Sequence, residues 1–251
     1  MINQNKEIIR VENLKRDYLV GDETVHALRG VNFSIHEGEF VTIMGTSGSG
    51  KSTLLNVLGC LDTPTEGEYY LDGISVRTMG KNERATLRNR KIGFIFQSYN
   101  LLAKTTAVEN VELPLMYNPD VSAKERHQRA IKALEEVGLG DRLNHKSNQM
   151  SGGQMQRVAI ARALVNEPVI ILADEATGNL DTRTSFEILS VLQRMHSEEG
   201  RTIIFVTHNP EIAAFSSRNI VIRDGSIKED NYNDNIHSAK EYLAKLPKEE
   251  N

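Results

Sequence analysis

A glycine-rich loop stands between two apolar segments in the first quarter of the chain. Residues 45–53 read GTSGSGKST, which has the glycine, lysine and serine spacing of a phosphate-binding loop. The preceding segment, FVTIM at 40–44, has the apolar, β-branched character of a buried strand. The following segment, LLNVL at 54–58, is compatible with a helix. A strand, a glycine loop and a helix in this order predict a site for the phosphates of a nucleotide.

The residue types of this loop suit the binding of phosphate. Glycines let the backbone curl so that several N–H groups point inward, and the helix that follows directs its positive N-terminus to the same place. The lysine adds a mobile charge, and the serine after it offers a hydroxyl ligand for Mg²⁺. A flexible surface turn and a dinucleotide loop are the alternatives; position 53 lacks the third glycine that a dinucleotide loop needs. The predicted nucleotide contacts are Gly45, Ser47, Gly48, Ser49, Gly50, Lys51, Ser52 and Thr53.

Polar side chains stand at the ends of three further strand-like segments. VIILAD ends in Asp174 and is followed by Glu175, TIIFVT is followed by His208, and IGFIF is followed by Gln97. Parallel strands bring their carboxyl ends, where ligands bind, to one sheet edge. We therefore predict that Asp174 binds Mg²⁺ together with Ser52 and Gln97, and that Glu175 polarises an attacking water. His208 is predicted to contact the γ-phosphate; a helix cap for the acids and a structural histidine are the alternatives.

A second anion-binding segment occurs later in the chain. SGGQ at 151–154 precedes the helix-compatible run MQRVAIARAL, so its backbone N–H groups form a helix N-terminus suited to phosphate. One phosphate chain leaves no room for two such N-termini in one domain. We infer that Ser151 and Gly153 bind the nucleotide of a second copy, so that two chains enclose two nucleotides.

Alternating strands and helices predict an α/β fold with a mostly parallel sheet. Short β-type runs from Ile8 to about Gly73 predict an additional β portion, and residues 98–165 have helical periodicity and a capping pattern at Ser122 and Glu125. We predict a single domain over 1–227, with an inserted helical subdomain at about 98–165. Residues 228–251 are predicted to form a polar, solvated C-terminal tail in which a short helix at 239–246 is possible.

Composition excludes several classes of protein. The 251 residues are 39% hydrophobic and 25% charged, and no apolar run approaches the roughly 18 residues of a membrane span. A net charge of −4 argues against nucleic acid as a partner, and one cysteine fits a reducing compartment. The first ten residues show no secretory pattern, so a cytoplasmic location is expected. The basic residues between 77 and 91 are interpreted as a solvated face, with a surface near anionic lipid or partner helices as the alternative.

These motifs together resemble the ATP-binding subunit of an ABC transporter over about residues 8–227. The resemblance implies a P-loop NTPase core with an N-terminal antiparallel β portion, an ATP and Mg²⁺ requirement, and ATPase activity. It also implies that Tyr18 stacks on adenine, that Asp181 in GNLD contacts the second subunit, and that His208 is the switch histidine. The motifs that carry it are GTSGSGKS, Gln97, the signature residues Ser151, Gly152, Gly153 and Gln154, VIILADE, GNLD and His208.

Within this family the chain is similar to the group that serves macrolide export, lipoprotein release, peptide-antibiotic resistance and cell division. That similarity implies a second ATP-binding subunit and a separate transmembrane permease, with the chain peripheral on the inner face of the membrane. The complete set of motifs in one chain favours an identical copy as the second subunit over a different chain. Residues 99–102 match the groove for the permease. The group usually has proline after the catalytic glutamate, whereas this chain has Ala176. A soluble ABC ATPase of translation or DNA repair, and a phosphotransferase, are the alternative functions.

Overall fold

Ten β-strands form two sheets in residues 6–247, the part of the chain that the computed structural model describes. One sheet is antiparallel with the order β2-β1-β4-β5, and the other has the order β10-β9-β3-β8-β7-β6. The strands are β1 (Glu7–Val20), β2 (Glu23–His36), β3 (Phe40–Met44), β4 (Glu66–Leu71), β5 (Ile74–Ser75), β6 (Ile92–Phe96), β7 (Ile170–Asp174), β8 (Ile203–Thr207), β9 (Arg218–Arg223) and β10 (Ser226–Tyr232).

Helices cover the second sheet and fill the segment between β6 and β7. They are α1 (Lys51–Leu58), α2 (Lys81–Lys91), α3 (Ala107–Glu112), α4 (Ala123–Glu136), α5 (Gly152–Leu164), α6 (Thr182–Glu199), α7 (Pro210–Ala213) and α8 (Ala239–Lys245). Short 3-10 turns lie at Leu113–Tyr117 and Ser147–Gln149.

The second sheet is parallel from β9 to β6, and only β10 runs antiparallel to its neighbour. Its central strands are buried on both faces, which is why their sequences are continuous apolar runs rather than alternating ones. Alternate side chains divide between two cores: Ile171 and Phe205 pack on the helical side, and Leu172 and Ile204 pack on the side of the antiparallel sheet. The predicted α/β fold with a mostly parallel sheet and an antiparallel β portion is confirmed.

The segment between β6 and β7 is mostly helical, as its periodicity predicts. Ser122 caps α4 by accepting a hydrogen bond from the Glu125 N–H at 3.3 Å. Helix α5 packs against α3 and α4 at this end of the molecule and also against β6. It therefore joins the helical segment to the parallel sheet.

Several basic side chains in residues 77–91 form ion pairs or hydrogen bonds within the protein, although the sequence is interpreted as a solvated face. Arg77 pairs with Glu68 and Lys91 pairs with Asp72, each at 2.8 Å. Arg88 donates to the backbone carbonyl of Cys60 at 3.0 Å. Arg88 and Lys91 therefore tie α2 to neighbouring elements. The ion pairs of Arg77 and Lys91 reduce the charge that this surface offers to anionic lipid.

The C-terminal residues are part of the domain, and their interpretation as a solvated appendage from residue 228 is wrong. Residue 228 lies inside β10, whose backbone pairs with β9. Helix α8 occurs where a short helix is possible by sequence, and it packs against α6. The Tyr242 ring lies 5.2 Å from the Phe215 ring and 5.7 Å from the Phe186 ring, measured between centroids. The last four residues of the predicted tail lie outside the described range.

A buried arginine fastens β10 to the rest of the molecule. Arg218 donates through Nε and Nη2 to the two carboxylate oxygens of Asp230, both at 2.7 Å. Its Nη1 donates to Glu39 at 3.1 Å and to the Ser34 carbonyl at 2.8 Å. The hydrogen bond to Asp230 and the nearby carboxylates raise the pKa of Arg218 although burial opposes this. The paired geometry is the strong form of this interaction.

We expect Arg218→Leu to lower the free energy of unfolding by about 2 kcal/mol, because Glu39 and Asp230 would keep their charges without a cation. The partial exposure of Asp230 keeps this value below that of a fully buried pair. Arg223→Leu, on the exposed end of the same strand, is the matched control and should change stability by less than about 0.5 kcal/mol. Urea unfolding measures both; equal losses for the two variants would contradict the role of Arg218.

Candidate functional site

Four neighbouring parallel strands bring the predicted residues to one edge of the sheet. The strands are in the order β3-β8-β7-β6, with Met44 beside Thr207, Val206 beside Asp174 and Asp174 beside Phe96. The residues that directly follow these strands therefore leave the sheet at the same level. They are Gly45, His208, Glu175 and Gln97.

The glycine loop adopts a conformation that depends on two of its glycines. Gly50 has φ of 105°, and a Cβ at this position would lie 2.6 Å from the Ala27 carbonyl oxygen. A Cβ at Gly45 would lie 2.3 Å from the Ile222 carbonyl oxygen. Larger residues would displace the loop from β3 and α1, so these glycines are required by the close approach of the backbone.

A buried hydroxyl and a buried ammonium face the interior of this loop. The Ser49 Oγ is buried against Gly45 and has no hydrogen-bond partner among the described residues. Lys51 donates to the carbonyls of Gly45 at 2.7 Å and Thr46 at 2.9 Å. Burial lowers the pKa of Lys51, and the charges of Glu175 and Asp174 oppose that shift. A phosphate would satisfy both groups, so these residues fit an anionic ligand.

Two adjacent acids end β7, and each has a different environment. Burial raises the pKa of Asp174, the charge of Glu175 raises it further, and Lys51 lowers it. Glu175 accepts a hydrogen bond from His208 Nδ1 at 2.7 Å. The sequence places both residues at this edge but does not predict that they pair.

The backbone at Glu175 is strained. Its φ is 44°, a left-handed conformation that non-glycine residues rarely adopt. Its N–H donates to the Val206 carbonyl and its carbonyl accepts from the Gly178 N–H, at 2.9 and 2.8 Å. Such strain persists only where the surrounding structure fixes it, and it is concentrated at functional sites.

A cavity of about 290 Å³ opens beside this pair. It is lined by Glu175 and His208, by the loop at 177–180, and by the first turns of α6. Asp181 caps α6 by accepting from the Thr184 N–H at 2.9 Å and from its hydroxyl at 2.6 Å. The cavity therefore connects the predicted catalytic pair with the loop that the resemblance assigns to contact with a second subunit.

Gln97 is held by a residue that sequence reasoning missed. Its Nε2 donates to Asn179 Oδ1 at 3.1 Å, and Asn179 Nδ2 donates to the Gln97 carbonyl at 3.2 Å. Both bonds leave the Gln97 Oε1, the atom of a glutamine that can bind a metal ion, unused. In residues 6–247 no group of three or more histidine, cysteine or acidic side chains is arranged to hold a metal. Ser52 and Asp174 nevertheless supply the hard oxygen atoms that Mg²⁺ prefers.

Tyr18 lies on β1 with one face covered. The Arg16 guanidinium is 4.5 Å from the ring centroid, and the Tyr18 hydroxyl donates to Asp62 at 2.8 Å. These contacts fix the orientation of the ring.

The SGGQ segment forms the N-terminal end of α5, and close contacts with neighbouring side chains favour glycine at two of its positions. Ser151 Oγ accepts from the Gln154 N–H at 3.2 Å, which forms the helix cap. A Cβ at Gly152 would lie 2.9 Å from the Tyr99 hydroxyl, and one at Gly153 would lie 2.5 Å from the Thr184 methyl group. Helix α5 packs against β6, α3, α4 and α6, whereas α1 packs against β2 and β7. The two helix N-termini that the sequence predicts to bind anions thus belong to different parts of the molecule.

Two side chains of α5 form hydrogen bonds with the loops of the site, and the sequence does not predict these contacts. Gln156 donates to the Ala176 carbonyl at 2.7 Å, and Arg162 donates to the carbonyls of Tyr99 and Asn100 at 2.8 and 2.6 Å. The sequence holds one weak signal for Gln156, a polar residue four positions before Ile160 on a buried helix face.

Comparison with known proteins identifies the family. A family model described as "ABC transporter" matches residues 28–178. The chain belongs to the ABC transporter family. An "Uncharacterized ABC transporter ATP-binding protein" of Thermotoga maritima is 56% identical over 223 residues, or 89% of this chain and 94% of that protein.

Two other relatives are a protein named for both ATP-binding and permease functions and a cassette with a solved dimeric structure. A macrolide export ATP-binding/permease protein, MacB of Syntrophobacter fumaroxidans, is 51% identical over 88% of this chain, which spans 31% of that protein. The ATP-binding cassette MJ0796 of Methanocaldococcus jannaschii is 50% identical over 224 residues. Its dimeric structure in a post-hydrolysis state bound to ADP and Pi matches with a TM-score of 0.81 at 47% identity, covering 90% of this chain and 98% of that chain.

None of the helices in residues 6–247 is both long and apolar enough to cross a membrane.

The raised pKa of Asp174 gives a prediction for the ABC site without ligand. Folding raises the pKa of Asp174, so the folded state favours the protonated carboxyl group. The stabilisation from this group is therefore complete below its unfolded pKa of about 3.9, and it is lost as the pH rises through the pKa of the folded state. Asp174→Asn removes the cost of burying the charge. We expect it to raise the Tm of the nucleotide-free protein at pH 7, with a gain that decreases toward about pH 4.

Asp181→Asn is the control of opposite sign. The Thr184 hydroxyl and N–H lower the pKa of Asp181, so its charge favours the folded state above the unfolded pKa. Asp181→Asn should therefore lower Tm slightly at pH 7. Thermal unfolding from pH 4 to 7 measures both variants, and a lower Tm for Asp174→Asn at pH 7 would show that the buried charge of Asp174 does not destabilise the nucleotide-free protein.

Proposed function

We propose that the chain is the ATP-binding and ATP-hydrolysing motor subunit of an ABC transporter or mechanotransmission complex. It closes with a second copy on ATP and drives a separate membrane subunit in efflux or extraction. The observation that supports this proposal is the convergence of four parallel strand ends, which brings the glycine loop, Asp174, Glu175, His208 and Gln97 to one edge. A soluble ABC ATPase of translation or DNA repair is the less favoured alternative.

ATP is bound by residues of the glycine loop, with Tyr18 against the adenine. Lys51 transfers its hydrogen bonds from the Gly45 and Thr46 carbonyls to the outer phosphates. Ser49 supplies its unpartnered hydroxyl, and the loop N–H groups and the N-terminus of α1 complete the site. The remaining contacts within the chain are assigned to Ser47, Gly48, Gly50, Ser52 and Thr53.

Mg²⁺ would be held by Ser52, by Asp174 and by the Gln97 Oε1. Both Ser52 and Asp174 provide oxygen ligands, and the small number of protein ligands suits an ion that keeps water and phosphate ligands. When bound, the ion offsets phosphate charge during hydrolysis. It would also relieve the electrostatic cost of ionising Asp174.

Glu175 is the general base in hydrolysis. Its carboxylate accepts a proton from a water whose oxygen attacks the γ-phosphorus, and the bond from that phosphorus to the bridging oxygen breaks to release ADP. His208 orients the carboxylate through the 2.7 Å hydrogen bond, and we assign it the contact with the γ-phosphate. Removal of the γ-phosphate is the event that separates the two copies.

The second nucleotide site requires another copy of the chain. Ser151, Gly152, Gly153 and Gln154 lie at the N-terminus of α5, and this helix does not share its packing partners with α1. We assign these residues to the nucleotide of the second copy, and Asp181 to the contact between copies. The dimeric structure of the relative MJ0796 supports this arrangement.

The exposed apolar residues after Gln97 form the proposed docking surface for the membrane subunit. MacB relatives are ATP-binding/permease proteins by name, and we propose that a permease also serves this chain and holds it at the inner face of the membrane. Leu101 packs against the core, so only part of the predicted 99–102 groove is free. Leu102, Met116 and Tyr117 are exposed and are the better candidates for docking.

We expect Glu175→Gln to retain ATP binding and to lower turnover by about 100-fold or more, because the amide cannot accept the proton from water. ATP should then hold the variant as a dimer, since the copies separate only after hydrolysis. Phosphate release measures turnover, and light scattering with and without ATP measures the dimer. Wild-type turnover would remove Glu175 from the role of base.

Two further variants separate binding in one chain from contact between chains. In the Glu175→Gln background, Lys51→Ala should weaken ATP binding itself. Ser151→Arg in the same background should leave ATP binding by the monomer unchanged but prevent formation of the dimer. The reason is that the long charged side chain would occupy the position of the phosphates bound to the second copy. An undiminished dimer for the Ser151 variant would contradict the contact between copies.

Leu102→Asp should leave folding and ATP affinity near the wild-type values but abolish association with the membrane subunit. Leu102 is 49% exposed, so the charge costs little in the isolated protein, whereas a buried interface would leave it unpaired. Ile236→Asp, at 48% exposure in the C-terminal segment, is the matched control. Co-purification from membranes tests both variants. Retained association of Leu102→Asp would place the docking site elsewhere.

A further inference from the structure

Gln156 occupies a position where a polar side chain is unfavourable. It lies on α5, is 0% exposed, and is on the face that also buries Ile160. Its Oε1 is buried and has no hydrogen-bond partner among the described residues. A buried polar atom without a partner destabilises the folded state, so an apolar residue would serve the core better. The benefit of a glutamine must therefore come from its other polar atom.

That atom, Nε2, donates to the Ala176 carbonyl at 2.7 Å. Ala176 directly follows Glu175, whose φ of 44° is strained. The N–H and carbonyl of Glu175 are held by backbone partners, and the Gln156 amide is the side-chain donor that fixes the next peptide. Alanine does not restrict φ as proline does, so this loop depends on external contacts for its conformation.

We infer that Gln156 is a positioning residue for Glu175. The inference rests on the proposed role of Glu175 as general base. By holding the Ala176 carbonyl, the amide keeps the Glu175 backbone in its left-handed conformation, so that the carboxylate meets His208 and the attacking water. Loss of this bond lets the carboxylate shift, and small displacements of a catalytic group cause large losses of rate.

Gln156→Met tests the inference. Methionine has a similar volume and cannot donate a hydrogen bond. It removes the unpartnered oxygen, which offsets part of the cost of leaving the Ala176 carbonyl without its donor. We expect kcat to fall by about 10- to 100-fold with the KM for ATP within about twofold of wild type. Ile160→Val is the matched control on the same buried face: it should lower Tm without changing kcat. An unchanged kcat for Gln156→Met would overturn the inference.

A double-mutant cycle with Glu175→Gln separates positioning from a general structural effect. If Gln156 acts through Glu175, Gln156→Met should cause no further loss in single-turnover rate once Glu175→Gln is present. An equal fold-loss in both backgrounds would show that Gln156 acts elsewhere and would overturn the inference. If Glu175→Gln is slow and Gln156→Met has normal turnover, the positioning role of Gln156 is refuted and the role of Glu175 as general base is retained. Normal turnover of Glu175→Gln would refute both the proposed base and the positioning role.

Discussion

The parallel pairing of β3, β8, β7 and β6 is the constraint on which the site depends. Parallel strands require crossovers, so each carboxyl end is followed by a loop or helix on one edge of the sheet. The apolar runs that bury these strands also place Lys51, Asp174 and Glu175 together in a partly desolvated region. Packing thus concentrates charges that would not otherwise be neighbours.

This concentration leaves the ligand-free site electrostatically unsatisfied. Burial raises the pKa of Asp174 and lowers that of Lys51, which means that both charged forms are disfavoured by the surroundings. A polyphosphate accompanied by a divalent cation supplies opposite charges to both groups. Stability is therefore lower without ligand and higher with it, which is the expected relation between a strained site and its function.

Short-range patterns account for the part of the structure that the sequence predicts. The glycine loop, the β7 carboxylates and the cap at Ser122 are recognisable from residues within a few positions of each other, and the continuous apolar runs indicate buried parallel strands. The pairs Gln97–Asn179 and Gln156–Ala176 depend on tertiary packing, so no local pattern predicts them. The polar residues 228–232 suggested a free tail because an edge strand exposes its side chains while its backbone is paired.

Helix α5 connects these long-range contacts. Ser151 begins it, Gln156 holds the loop of Glu175, and Arg162 holds the carbonyls of Tyr99 and Asn100, both of which have positive φ. Burial lowers the pKa of Arg162, and in residues 6–247 no carboxylate forms an ion pair with it. Its charge is therefore compensated by those two carbonyls, which bond the loop to the helix. The loop after Gln97 and the loop of Glu175 are thus bonded to the same helix, which gives the docking segment a physical connection to the loop of Glu175.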